Sequence, residues 1–143
     1  MSDLYQHILV ALDLDEEHTR VLDKAVALAR CHHAKLSVIH VDIKLQDLYT
    51  EMIALDIDSM QDKVLADANA RLDQVLKGID YPIEKRLVIC GDLCSKVNEA
   101  VSEYGMDLLV CGHHQTFWSL LTSSARQLMN SVSCDLLVMP LPE

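Results

Sequence analysis

The sequence predicts an α/β fold: a doubly wound, five-stranded parallel sheet with helices on both faces. Three observations carry this expectation. Short apolar, β-branched runs alternate with longer stretches of helical period. The apolar runs are nearly continuous, as in parallel strands covered on both faces, instead of alternating. Half of the 143 residues are hydrophobic, enough for a sizeable core in one domain spanning 1–143.

The strands expected are His7–Asp13, Lys35–Asp42, Ile83–Cys90, Asp107–Gly112 and Cys134–Pro140. Between the first two, Val21, Leu22, Ala25, Val26 and Ala29 form one helical stripe. A second helix carries Met60, Val64, Ala68, Leu72 and Val75, with Gly78 as its stop. In a third, Asp92 caps, Leu93, Val97, Ala100, Val101 and Tyr104 face inward, and Gly105 ends the helix. A fourth presents Leu121, Ala125, Leu128, Met129 and Val132. Right-handed crossovers turn this β-α order into a doubly wound sheet. The segment from Ile43 to Asp58 is long for a connection. It reads as an irregular cover over the sheet or as the first turns of the second helix.

Composition narrows the function. The net charge is −10 with 12 basic residues, which opposes binding to nucleic acid or anionic membranes. The opening MSDLYQHILVALDLDEE lacks the basic start and long apolar stretch of a signal peptide. No run approaches the ~20 apolar residues of a membrane span. The expected location is the cytoplasm. Five cysteines, Cys31, Cys90, Cys94, Cys111 and Cys134, are an odd number without CxxC spacing, so they read as small hydrophobes and not as a disulfide framework or zinc site.

Ligands of such a fold bind at the carboxyl ends of the strands, where strand order reverses. The loop after the first strand, Asp13-Leu14-Asp15-Glu16-Glu17, has acids and no glycine. Acids complement a helix N-terminus, but they repel phosphate and leave no glycine turn to cradle it. Asp13 remains able to accept hydrogen bonds from a base or ribose. After the fourth strand come Gly112-His113-His114-Gln115-Thr116-Phe117-Trp118. Adjacent histidines lack the i, i+4 spacing of a helical metal pair, so a metal there would need His40, Asp42 or Asp13 from neighbouring loops. His114 as a general base would need a nucleophile; Ser119, Ser123 and Ser124 are near, but there is no GxSxG elbow. No metal, cofactor or catalytic residue is expected. The last strand, with Leu136, Leu137, Val138, Met139 and Pro140, should form a sheet edge. An exposed apolar edge invites aggregation, and pairing it across a two-fold axis removes the hazard. A homodimer through this strand is the expectation.

With these residues read, the chain resembles the universal stress protein family over nearly its whole length. The resemblance lies in His7-Ile8-Leu9-Val10-Ala11-Leu12-Asp13, in 34–42, in Gly91-Asp92-Leu93, and in 107–115 followed by Phe117-Trp118-Ser119 and 123–128. It implies a Rossmann-like fold. The family's ATP-binding branch carries Gly-x-x-Gly, about nine residues, then Gly-Ser or Gly-Thr, whose backbone N–H groups cradle phosphates. Here Gly112 is kept, Gln115 replaces the second glycine, and Ala125-Arg126 replace the last pair. Ser123-Ser124 fill that place only if the connection is two residues shorter. The resemblance therefore implies the A-type branch that does not bind ATP: a cytoplasmic homodimer acting in stress through protein partners. The alternative is a degenerate adenine-nucleotide sensor in which Asp13, the Val41 backbone and Gly112 hold an adenosine moiety, with His114, Ser123 and Ser124 as vestiges of the site. A small hydrolase or metal protein using His113 and His114 ranks third.

Overall fold

The apolar runs assemble into one parallel sheet. The computed structural model describes residues 4–12, 19–42, 57–90, 93–114 and 132–141. In chain order these are β1 (His7–Ala11), α1 (Thr19–His32), β2 (Lys35–Asp42), α2 (Ile57–Leu76), β3 (Ile83–Cys90), α3 (Leu93–Tyr104), β4 (Leu108–His114) and β5 (Asp135–Leu141). The strand order is β3-β2-β1-β4-β5, and every pairing is parallel. The chain thus winds outward from β1 in one direction through β3 and in the other through β5, which is the doubly wound topology the sequence predicts.

Alternation along the strands divides the core into two layers. Ile8 and Val10 of the first strand and Leu12 just after it face one way with Leu36, Val38, Leu108 and Val110, and α1 and α2 cover them with Val21, Leu22, Ala25, Ala29 and Leu72. Leu9, Ile39 and Leu109 face the other way, under Val97, Ala100 and Val101 of α3. Ile8, Leu9 and Val10 are each 0% exposed, so successive residues of β1 are buried on opposite faces. Each such side chain contributes about 1.5–3 kcal/mol of transfer free energy.

The limits of β2 and β3 match the sequence reading, and three others shift for identifiable reasons. β1 stops at Ala11, two residues short of Asp13. Leu12 still donates its N–H to the Ile39 carbonyl at 2.9 Å, but its own carbonyl accepts from the His40 side chain and no longer extends the ladder. β4 starts at Leu108 and continues through His114, because β5 stays in register with it as far as His114↔Leu141. Gly112, His113 and His114 are therefore strand and not loop, and β5 runs from Asp135 to Leu141. The predicted fourth helix falls within 115–131, outside the described residues; Val132 is described and packs half-buried against the second core layer. Of the 43–58 segment, Ile57 and Asp58 open α2, and the remainder lies outside the described residues.

Two helices end in Schellman turns, one of them unforeseen. After α3, Gly105 takes φ 65° and the Met106 N–H reaches the Val101 carbonyl at 3.1 Å. After α1, His33 fills the same left-handed position with φ 55°, the Ala34 N–H donating to the Ala29 carbonyl at 2.9 Å. Gly78, read as the stop of α2, follows the helix end but is not in the left-handed region. Its turn is closed by Lys77 N–H to Asp73 and Ile79 N–H to Leu76. Among the described residues no helix is long and apolar enough to cross a membrane.

The two glycines should answer oppositely to alanine. Gly105→Ala places a Cβ in the left-handed region and should cost about 1–2 kcal/mol. Gly78→Ala meets open space and should be neutral or stabilise by up to about 1 kcal/mol through the unfolded chain. Urea unfolding midpoints at constant m-value test the contrast.

Candidate functional site

The reversal of strand order falls between β1 and β4. Their pairing runs from Ile8↔Leu108 to Val10↔Val110, while β4 and β5 stay paired to His114↔Leu141 and β2 and β3 to Asp42↔Cys90. The central strand is the short one. Among the described residues, the end of β1 at Ala11 and Leu12 is therefore set back between 40–42 of β2 and 112–114 of β4, and this step in the strand ends is the recess. Ala11, His40, Cys111 and Gly112 are half-buried there.

Two bonds fix the floor. Leu12 donates to Ile39 of β2. His40 Nδ1 lies 2.9 Å from the Leu12 carbonyl; since a carbonyl only accepts, Nδ1 carries a proton and donates it. The end of β1 is thereby drawn to β2, on the side away from β4. This positions the chain just before Asp13.

The recess brings together some of the residues the sequence singled out. Val41 sits in the β2 wall and Gly112 and His114 in the β4 wall. Asp13, Ser123 and Ser124 lie outside the described residues. The floor and walls contain no Lys or Arg; their one formally charged residue type is the acid at Asp42. Among the described residues no group of three or more His, Cys, Asp and Glu is placed to hold a metal ion.

The thiols of Cys111, one residue before the β4 wall, and of Cys134, at the opposite end of the sheet ahead of β5, are both poor nucleophiles. Cys111 lies inside β4 and not at its end, and burial pushes its thiol up to about 11, so at neutral pH it is a packed apolar group. Burial, followed by the charges of Asp135 and Asp107, also raises Cys134. His40 as a clamp was missed from the sequence. The signal for it is a polar residue inside the apolar run Lys35–Asp42, where the burial of strand faces demands a partner.

The recess at the carboxyl ends of a 3-2-1-4-5 parallel sheet is where a doubly wound α/β protein holds its ligand. The chain belongs to the universal stress protein family, whose model matches residues 4–140, and within it is of the universal stress protein A type. It is similar to the universal stress protein A homolog of Haemophilus influenzae, with 49% identity over 138 residues that cover 96% of this chain and 98% of that one. The solved structure of universal stress protein UspA from Lactobacillus plantarum has a TM-score of 0.66 at 19% identity, covering 94% of this chain and 97% of that one. A universal stress protein in complex with cAMP has a TM-score of 0.58 at 21% identity, covering 95% and 97%. At those identities the likeness to the two structures is one of fold.

His40→Ala should lower stability by about 1 kcal/mol, the net worth of one hydrogen bond, and should speed exchange of the Leu12 amide. Chemical denaturation and amide exchange read the two effects together.

Proposed function

We propose that this chain is a cytoplasmic stress-response protein of the universal stress protein A type, working as a homodimer through protein contacts, without ATP binding and without catalysis. The observation that carries the reading is the chemistry of the recess. A nucleotide's phosphates need cations or convergent N–H groups from glycine turns. Among the described residues the recess walls supply neither Lys nor Arg, and the sequence continues into Gln115 where the ATP-binding branch has its second glycine. In the sequence, four of the next five residues after Leu12 are acids and none is a cation. No residue of the described walls is an activated nucleophile.

A second reading keeps support from the shape of the site. The shortened β1 leaves backbone groups of β2 and β4 facing a recess of the kind that holds adenosine in nucleotide folds, and one fold neighbour is bound to cAMP. In this reading Val41 contributes its backbone and Gly112 a close approach. Calorimetric titration of the purified protein with Mg-ATP separates the two. The proposal expects no saturable heat and an unshifted melting curve. Binding in the micromolar range, roughly −8 kcal/mol, would overturn it in favour of the sensor.

The contrast between the two sheet edges supports the dimer. On β3 the exposed residues Glu84, Lys85 and Arg86 are consecutive and charged, a device that blocks edge-to-edge pairing. β5 carries no charge after Asp135. Leu137 and Met139 pack against one core layer and Leu136 against the other, and Val138, on the face of Leu136, is half-buried in this edge strand. Val138→Lys should therefore convert the dimer to a folded monomer, read by light scattering with circular dichroism as the control. A monomeric parent protein would contradict the interface.

A further inference from the structure

At the opposite end of the sheet from the recess lies a buried polar chain that the reading above does not use. Between Leu36↔Ile83 and Val38↔Arg86 the β2–β3 register shifts. Ser37 alone on β2 therefore faces Glu84 and Lys85 on β3, which is a β-bulge. Bulges orphan backbone groups, and here the Lys85 N–H is taken up by Ser37 Oγ at 3.1 Å. Ser37 Oγ is in turn 2.7 Å from His7 Nε2, and His7 Nδ1 is 3.3 Å from the Tyr104 carbonyl at the end of α3. The Lys85 ammonium lies 5.2 Å from the centre of the Tyr104 ring, which closes the circuit.

The directions of these bonds follow from the acceptors. The Tyr104 carbonyl only accepts, so Nδ1 holds the imidazole proton and Nε2 accepts the Ser37 hydroxyl. Ser37 is 0% exposed and His7 is 7% exposed. A proton added at Nε2 turns an acceptor into a donor facing the Ser37 hydroxyl. Ser37 must then accept from both His7 and Lys85, and its own proton loses His7 as its acceptor in a position that is 0% exposed to water. One donor in this chain loses its acceptor whenever His7 is charged.

We propose that the Lys85–Ser37–His7–Tyr104 chain is an acid-sensitive lock, which holds the bulge of the β3 edge at neutral pH and releases it when His7 takes up a proton. The charged groups around His7 are Lys35 on β2, Glu84 and Lys85 on β3, and Asp107 ahead of β4; α3 presents Tyr104. The Asp107 carboxylate is already engaged, accepting the backbone N–H groups of Gln6 and His7 at 2.8 and 3.1 Å. Burial holds the imidazole below the usual histidine range, with Lys35 acting the same way; the Tyr104 carbonyl, Glu84 and Asp107 pull upward. A depressed histidine binds more protons unfolded than folded. The lock is therefore fully set above about pH 6.5 and weakens as pH falls below that value.

Amide exchange of the whole protein at about pH 7.5 and about pH 5.5, corrected for intrinsic rates, tests this, with His7→Gln as the comparison. Glutamine offers an amide oxygen near the place of Nε2 and does not titrate. In the parent, protection of the Lys85 amide should fall on the order of tenfold at the lower pH while the amides of Ile8 and Val10 keep theirs. In His7→Gln the Lys85 protection should not change with pH. Should that variant fail to fold, nitrogen NMR of the parent imidazole decides: the lock requires the Nδ1–H tautomer at neutral pH and a loss of Lys85 protection that tracks His7 protonation. An Nε2–H tautomer, a Lys85 protection indifferent to His7 charge, the same pH response in His7→Gln, or uniform loss across all strands would each overturn the proposal.

Discussion

Everything in this fold hangs on the burial of β1 from both sides. A strand with helices on one face only needs one apolar set; β1 needs two, and Ile8, Leu9 and Val10 supply them in consecutive positions. Because side chains alternate along a strand, a register slip of one residue would exchange the two sets between layers. The pairings His7↔Lys35 and Ile8↔Leu108 are fixed by that requirement together with Asp107, whose carboxylate and N–H grip the start of β1. The same strand ends before its neighbours do, which sets back the middle of the sheet at its carboxyl end.

The two ends of the sheet use histidine in different ways. At the carboxyl end His40 donates to a carbonyl and trims β1, making room. At the amino end His7 both donates and accepts, tying three strands and a helix terminus together through Ser37. Each meets the rule that a buried polar group finds a partner. Only the second depends on a particular protonation state.

Much of the architecture was legible in the sequence, and the gaps have a common cause. The stripes Val21-Leu22-Ala25-Ala29 and Val97-Ala100-Val101 and the runs Lys35–Asp42 and Ile83–Cys90 are local patterns, and they fold as read. The end of β1, the extension of β4 through His114 and the bulge at Glu84-Lys85 are not local. They are set by which partner strand continues the ladder, and nothing within seven or eight residues of one chain segment encodes that. Gly105 was found because glycine tolerates a left-handed turn; His33 adopts the same geometry without such a signature. The network of His7 and Ser37 was not read from the sequence, although both stand out as polar residues in apolar strands.

The central claim is that the recess over β1 has the position of a nucleotide site without the chemistry to hold one. Residue-resolved amide chemical shifts during titration with Mg-ATP, and separately with adenosine, address it most directly. The account predicts no saturable shift at Leu12, Val41 or 112–114 with either ligand. Saturable shifts at those residues with Mg-ATP would contradict it, and shifts with adenosine alone would show that the recess still recognises the nucleoside while rejecting its phosphates.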